Sequence, residues 1–234
     1  MAQQQCTSNT STNNVIDFFT GRPLNQLNNK ILRIAPELDQ MEILYSNDSS
    51  YHLYSLKIVC WALREQGDVV AMVPWLNRIV ACTELKDPLN GRWEGYRDPT
   101  LIDGQVFFTP PPHKILELET AAHYYQTDDA EDEDILQEIP DVIGTHAVLT
   151  HNGFHSFTLA QVLSWRLLAN GSLHGMLIDE RKITSTPVLP GDRCLFPSQS
   201  HPDFKYFFQH AIANKIKSQD PEALAAIALL VEPG

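Results

Sequence analysis

No run of roughly 18 apolar residues occurs in this chain, so nothing in it reads as a membrane-spanning helix. Its first residues, MAQQQCTSNTSTNN, lack a basic start and an apolar core, and so do not read as a secretory signal. Cysteine is scarce. Cys6, Cys60, Cys82 and Cys194 stand far apart with no C-x-x-C pair, which removes a zinc knuckle and points to reduced thiols in a cytoplasmic protein. Basic charge is also short: 17 Lys and Arg stand against 29 Asp and Glu, for a formal net charge of -12. An acidic field repels phosphate backbones, so nucleic acid is not an expected partner, and neither is a membrane. The chain has no G-x-S-x-G elbow, no H-E-x-x-H, no G-x-x-x-x-G-K and no G-x-G-x-x-G. These absences set aside the commonest hydrolase, protease and nucleotide-binding readings, and no cofactor is expected.

What is present is a chain that folds. Of its 234 residues 43% are hydrophobic, which is too apolar for a disordered protein and enough for one large domain or two small ones. Residues 1–14 are polar and read as a disordered tail. Segment 41–46 (MEILYS) reads as a strand, as do 69–73, 78–82, 105–109, 145–150 and 172–179. Two longer apolar runs, 54–65 and 157–169, fit strand or helix, and alternation from Phe157 to Leu167 favours strand in the second. The stretch 87–99 carries turn residues at both ends and reads as a loop. Helical spacing of Ile115, Leu118, Ala122 and Tyr125 predicts a helix after Pro110–Pro112. Two more helices are predicted near the end, one on the stripe Phe204, Phe207, Phe208, Ala211 and Ile212, one opened by Asp220-Pro221-Glu222.

Half of the net charge sits in Asp128, Asp129, Glu131, Asp132, Glu133 and Asp134, which makes 126–140 the expected acidic linker. A solvated spacer, a cation site and a decoy for a basic partner are its three readings. It lacks the glycine and spacing of a calcium-binding loop.

The chain also overlays on itself. At an offset of 104, residues 41–85 fall on 145–189, and Trp61 meets Trp165, Leu63 meets Leu167, Gly67 meets Gly171 and Met72 meets Met176. The expected architecture is therefore α+β: two similar antiparallel strand-rich units, 15–125 and 141–234, each followed by helix and packed as an internal pseudo-dimer. One unit alone is small for an independent core, and two hide each other's apolar faces. Trp61 and Trp165 become buried anchors, with a ligand-stacking pair as the other use of such residues.

Chemistry concentrates in 90–99 (NGRWEGYRDP), where Arg92, Trp93, Glu94, Tyr96, Arg97 and Asp98 offer cations, aromatic plates and carboxylates, with His113 close by. That mixture suits a polar ligand, and it equally suits a surface loop tied by ion pairs. His146, His151 and His155 cluster in sequence near one turn and are the candidate metal ligands, against the reading of scattered turn histidines. Cys194 and His201 are a nucleophile and base by residue type alone. The matching residues of the repeat are apolar or glycine, so a binding or protein-interaction role is preferred, for an unknown small molecule or protein. The alternative is a hydrolase-like enzyme on loop 92–98. The expected assembly is a monomer with pseudo-two-fold symmetry or a homodimer.

Overall fold

A computed structural model of the chain describes residues 29–46, 53–87, 91–101, 104–122, 131–151, 156–178 and 195–209. The first-half elements are β1 (Ile31–Pro36), β2 (Glu42–Ser46), β3 (Leu53–Lys57), β4 (Cys60–Arg64), β5 (Val69–Trp75), β6 (Arg78–Ala81), β7 (Lys86–Asp87), β8 (Gly91–Arg97), β9 (Val106–Phe107) and the helix α1 (Pro112–Ala122). The second half continues with β10 (Ile135–Pro140), β11 (His146–His151), β12 (Ser156–Gln161), β13 (Ser164–Leu168), β14 (Leu173–Ile178), β15 (Leu195–Pro197) and β16 (Phe204–Phe208).

These strands make four small antiparallel sheets: sheet I (β1-β4-β5-β6), sheet II (β3-β2-β8-β7, with β9 on β8), sheet III (β10-β13-β14-β15) and sheet IV (β12-β11-β16). One hydrophobic cluster draws side chains from sheets I, II and IV, the other from sheets I, III and IV. Four small sheets around shared interior surfaces resemble a four-bladed β-propeller. The strands of a sheet are not consecutive, however: β2 and β3 leave sheet I for sheet II between β1 and β4, and β11 and β12 do the same in the second half.

The first strands of the two halves pair in the same register. Ile31 pairs with Arg64 and Pro36 with Cys60, while Ile135 pairs with Leu168 and Pro140 with Ser164, the same partners 104 residues on. Both pairings carry a bulge at the same place, Ile31/Arg33 and Ile135/Gln137. A second matched bulge falls at Leu44/Tyr45 and Val148/Leu149. Gly67 and Gly171 turn the matching hairpins with φ of 86° and 85°, a region that favours glycine. In each turn the glycine N–H returns to the strand, to Arg64 O or Leu168 O, at 2.8 Å. This agreement fits an internal duplication.

Each half also repeats one buried polar device. Trp61 Nε1 donates to Glu37 Oε2, and Met41 N donates to Glu37 Oε1. In the second half Trp165 Nε1 donates to Asp141 Oδ1 at 2.9 Å, and Thr145 N donates to Asp141 Oδ2 at 2.7 Å. Both indoles are fully buried, so their single N–H needs a partner, and the carboxylate at the β1–β2 or β10–β11 corner supplies it.

Sheet I is buried on both faces. Trp61, Leu63, Ala71 and Val73 face the first cluster, and Cys60, Ala62, Val70 and Met72 face the second. Sheet IV likewise sends Val148 and Phe208 to the first cluster and Ala147 and Phe207 to the second. Neither half therefore owns its interior. Hydrogen bonds also cross between them: Ile34 N donates to Gln137 Oε1 at 2.9 Å, Gln137 Nε2 donates to Ile34 O at 2.6 Å, and Phe207 N donates to Leu76 O at 2.8 Å.

Several expectations need correction. The class is mostly β rather than α+β, and α1 is the one α-helix among the described residues. Phe204–Phe208 is a strand, not the start of a helix. The bulge opposite Val148/Leu149 adds one residue to β16, so Phe204 and Phe207 point the same way and imitate helical spacing. The 87–99 loop contains strand β8, where the matching bulge lets Trp93 and Tyr96 both reach the first cluster. Inside the stretch read as linker, Ile135–Pro140 is strand β10, held along β13. The two ambiguous runs are each two strands, because the chain changes sheets through fully buried Ile58-Val59 and through Val162-Leu163 without losing apolar character. The proposed tail 1–14 and the helix at 220 lie outside the described residues. No helix among the described residues is long and apolar enough to cross a membrane.

Candidate functional site

Strand β8 distributes its side chains between interior and surface. Tyr96 is buried against Trp61 and Trp93, with ring centroids 5.1 and 5.2 Å away. Its hydroxyl lies 3.3 Å from Cys82 Sγ. Burial pushes both groups up, the thiol to about 11, so each stays protonated and inert at neutral pH.

The charged residues of the stretch are committed to neighbours. Arg92 is ion-paired with Glu94 at 2.7 Å, and the Ser46 hydroxyl on β2 donates to Glu94 Oε1 at 2.7 Å. The Ser46 hydrogen bond, ahead of Arg92, holds the Glu94 carboxyl below its ordinary value. Arg97 bridges to Glu42 on β2 at 2.6 Å. The Ser46–Glu94 and Arg97–Glu42 contacts cross from one strand to the other and tie β8 to β2, while the Arg92–Glu94 pair runs along β8 itself.

Two of the candidate residues leave that pattern and meet in space. Asp98 directly follows β8, and His113 stands in the first turn of α1. Together with Asp39, Met41, Leu101 and Phe107 they line a pocket of about 240 Å³, one side of which is the 109–112 segment. Three consecutive prolines make that side stiff, since each fixes its φ and carries no N–H. The prolines also bring His113 beside Asp39 in the β1–β2 connection, where His113 Nε2 donates to Asp39 Oδ2 at 2.8 Å. That hydrogen bond, with Lys114 nearby at 3.7 Å, lowers the Asp39 carboxyl from its ordinary value. Lys114 is turned inward and donates to Pro36 O at 3.2 Å. Asp98 Oδ1 accepts from both Thr100 N at 2.8 Å and Thr100 Oγ1 at 2.6 Å, which fixes the carboxylate while its second oxygen stays clear of them.

The histidine trio does not converge. His146 and His151 are the two ends of β11, so their Cα atoms stand roughly 17 Å apart at about 3.4 Å per residue. Metal ligands must meet within a few ångströms. His155 lies outside the described residues, as does Cys194, the proposed partner of His201. Among the described residues no group of three His, Cys, Asp or Glu side chains is placed to hold a metal ion.

Sequence reasoning missed Asp39, which lies 74 residues from its partner His113. No spacing rule joins positions that far apart. It also missed the Trp–carboxylate pairs, for which a signal existed: Pro36-Glu37 and Pro140-Asp141 sit at the same offset of 104, just ahead of the matched window.

No family model, no curated protein and no solved structure matches this chain.

Proposed function

We propose that this chain is a binding or interaction protein, and that its ligand contacts lie in the Asp39–Asp98–His113 pocket. One observation carries the reading. Of the polar candidates, Asp98 and His113 border a concave apolar surface, while Arg92, Glu94 and Arg97 are engaged in ion pairs along β8 or with β2. Apolar walls with a few convergent polar groups are the usual composition of a ligand site. The duplicated frame supports the same reading from the other side, because its matched residues serve packing. The test is a fragment screen followed by methyl and imidazole NMR on wild type, Asp98→Ala and His113→Ala. Saturable shifts at Met41 and His113, lost in variants that melt like wild type, are expected. A screen with no saturable shift at these residues refutes the assignment.

A second reading rests on the imidazole–carboxylate pair itself. An Asp that orients a His beside a pocket is the arrangement of a general base, which suits a hydrolase-like reaction. In that case Asp39→Asn and His113→Gln would abolish turnover of a substrate found in an ester and amide panel. Turnover that survives both substitutions excludes the reading.

A further inference from the structure

Exposed apolar residues are concentrated in the chain segments that build this pocket. Among the described residues eight large hydrophobic side chains are exposed; one of them lines the pocket and three more lie within three positions of a lining residue. Leu101 lines the pocket and is 45% exposed. Leu38 precedes Asp39, Phe108 lies between Phe107 and Thr109, and Leu116 follows His113 by one helical turn; these are 66%, 70% and 66% exposed. The Phe108 ring meets Trp93 edge-on, with centroids 6.3 Å apart, and still presents most of its surface to solvent. Exposed hydrophobic groups gathered around a cavity mark an interaction surface more often than singly scattered ones do.

The charge at the mouth is acidic. Asp39 and Glu117 are about half exposed at 48% and 50%, and Asp98 lines the wall. The nearby basic groups are occupied: His113 donates to Asp39, and the Lys114 ammonium sits between Pro36 O, Asp39 and Glu117 with its side chain 5% exposed. Among the described residues no basic side chain is ion-paired with Asp98. At about 240 Å³ the cavity falls below the roughly 300–1,000 Å³ of sites for drug-sized ligands, which suits one long side chain.

We propose that this pocket and its rim dock a segment of a partner protein through one lysine or arginine flanked by apolar residues. The proposal rests on the pocket being the binding site and adds the partner's chemistry. The basic side chain lays its methylenes along Met41, Leu101 and Phe107 and carries its charge to the open oxygen of Asp98. Its apolar neighbours cover Phe108 and Leu116. The overall charge of -12 favours approach of a basic segment.

The test uses the full chain and three probes: acetyl-Leu-Lys-Phe-amide, the same peptide with norleucine for lysine, and butylamine. Binding is followed by the Trp93 indole and Leu101 methyl signals. The lysine peptide should bind about tenfold or more tighter than the norleucine peptide, and Asp98→Asn should erase that difference. Phe108→Ser should weaken the lysine peptide and leave butylamine unchanged. A norleucine peptide that binds equally well overturns the proposal. So does butylamine binding as tightly as the lysine peptide, which would make the ligand a small amine. Tighter peptide binding by Arg22→Gln would also overturn it, by placing the occupant in this chain's own segment 18–24. If neutral fragments saturate the pocket and no basic peptide does, the partner chemistry falls and the pocket assignment stands. If neither binds there, both fall.

Discussion

The paired Trp–carboxylate contacts can be broken with almost no change of shape. Asp141→Asn keeps every heavy-atom position but exchanges two acceptor oxygens for one oxygen and one NH2 group. Asp141 now accepts from Trp165 Nε1 at 2.9 Å and from Thr145 N at 2.7 Å, one bond on each oxygen. In the asparagine variant one of those N–H groups faces another donor. Trp165 is fully buried, so neither rotation nor water rescues its indole N–H without disturbing the second cluster. An unsatisfied buried donor costs about 1–3 kcal/mol. For a chain of this size that lowers Tm by roughly 2–12 °C. Glu37→Gln should cost a similar amount, because it removes the equivalent acceptor from Trp61 and Met41. Calorimetry of both single variants and of the double variant is the assay. The two contacts belong to different clusters, so their losses should add to within about 0.5 kcal/mol. A cycle between Asp141→Asn and Trp165→Phe should instead be strongly non-additive, since both remove one bond. An Asp141→Asn protein that melts with wild type refutes the reasoning.

Other consequences are open to simple assays. Gly67→Ala and Gly171→Ala share the same left-handed backbone strain, about 1–2 kcal/mol. A methyl on Gly171 would also lie 2.6 Å from Lys30 Cγ and 2.9 Å from Ile31 N, while one on Gly67 meets nothing within 4 Å. Thermal melts should therefore show the larger loss for Gly171→Ala, and equal losses would count against this inter-half contact. Glu94 titrates below its ordinary value in the folded chain, so it stabilises the fold above the unfolded carboxyl range and loses that contribution as pH falls through its lowered pKa. Ser46→Ala removes the main cause, and urea titrations at successive pH values below about 5 should show a shallower acid loss. An unchanged acid limb would mean that Ser46 does not set the Glu94 titration. Cys60 and Cys82 are fully buried and their thiols are pushed up, Cys82 to about 11. Iodoacetamide at neutral pH should leave both unmodified by mass spectrometry until denaturant is added, and rapid labelling of either in the native protein would contradict its burial.

The sequence shows the repeat where a residue type is demanded by geometry at both copies. Only a few residues tolerate the turn φ of Gly67 and Gly171, and only a large aromatic fills the sites of Trp61 and Trp165. It hides the strands where two faces are buried together. The run through Leu56, Ile58, Cys60 and Ala62 stays apolar because the chain passes from sheet II to sheet I inside the protein, so period-two alternation never shows. It misleads where a bulge adds a residue, since Phe204 and Phe207, or Trp93 and Tyr96, then share a face at helical spacing. Of the pocket, Asp98 and His113 were visible as polar residues in a suggestive stretch. Their meeting depends on the prolines at 110–112 and on Asp39 from a distant connection, and no local pattern encodes that meeting.

The shared interior of the two matched halves is most directly tested by nuclear Overhauser contacts across them in the intact chain. The Gln137 side-chain amide should show contacts to the Ile34 backbone amide, and the Phe208 ring should show contacts to residues of the first cluster such as Ile43 and Trp61. Two separate contact networks, one within 31–97 and one within 135–208, would contradict the account.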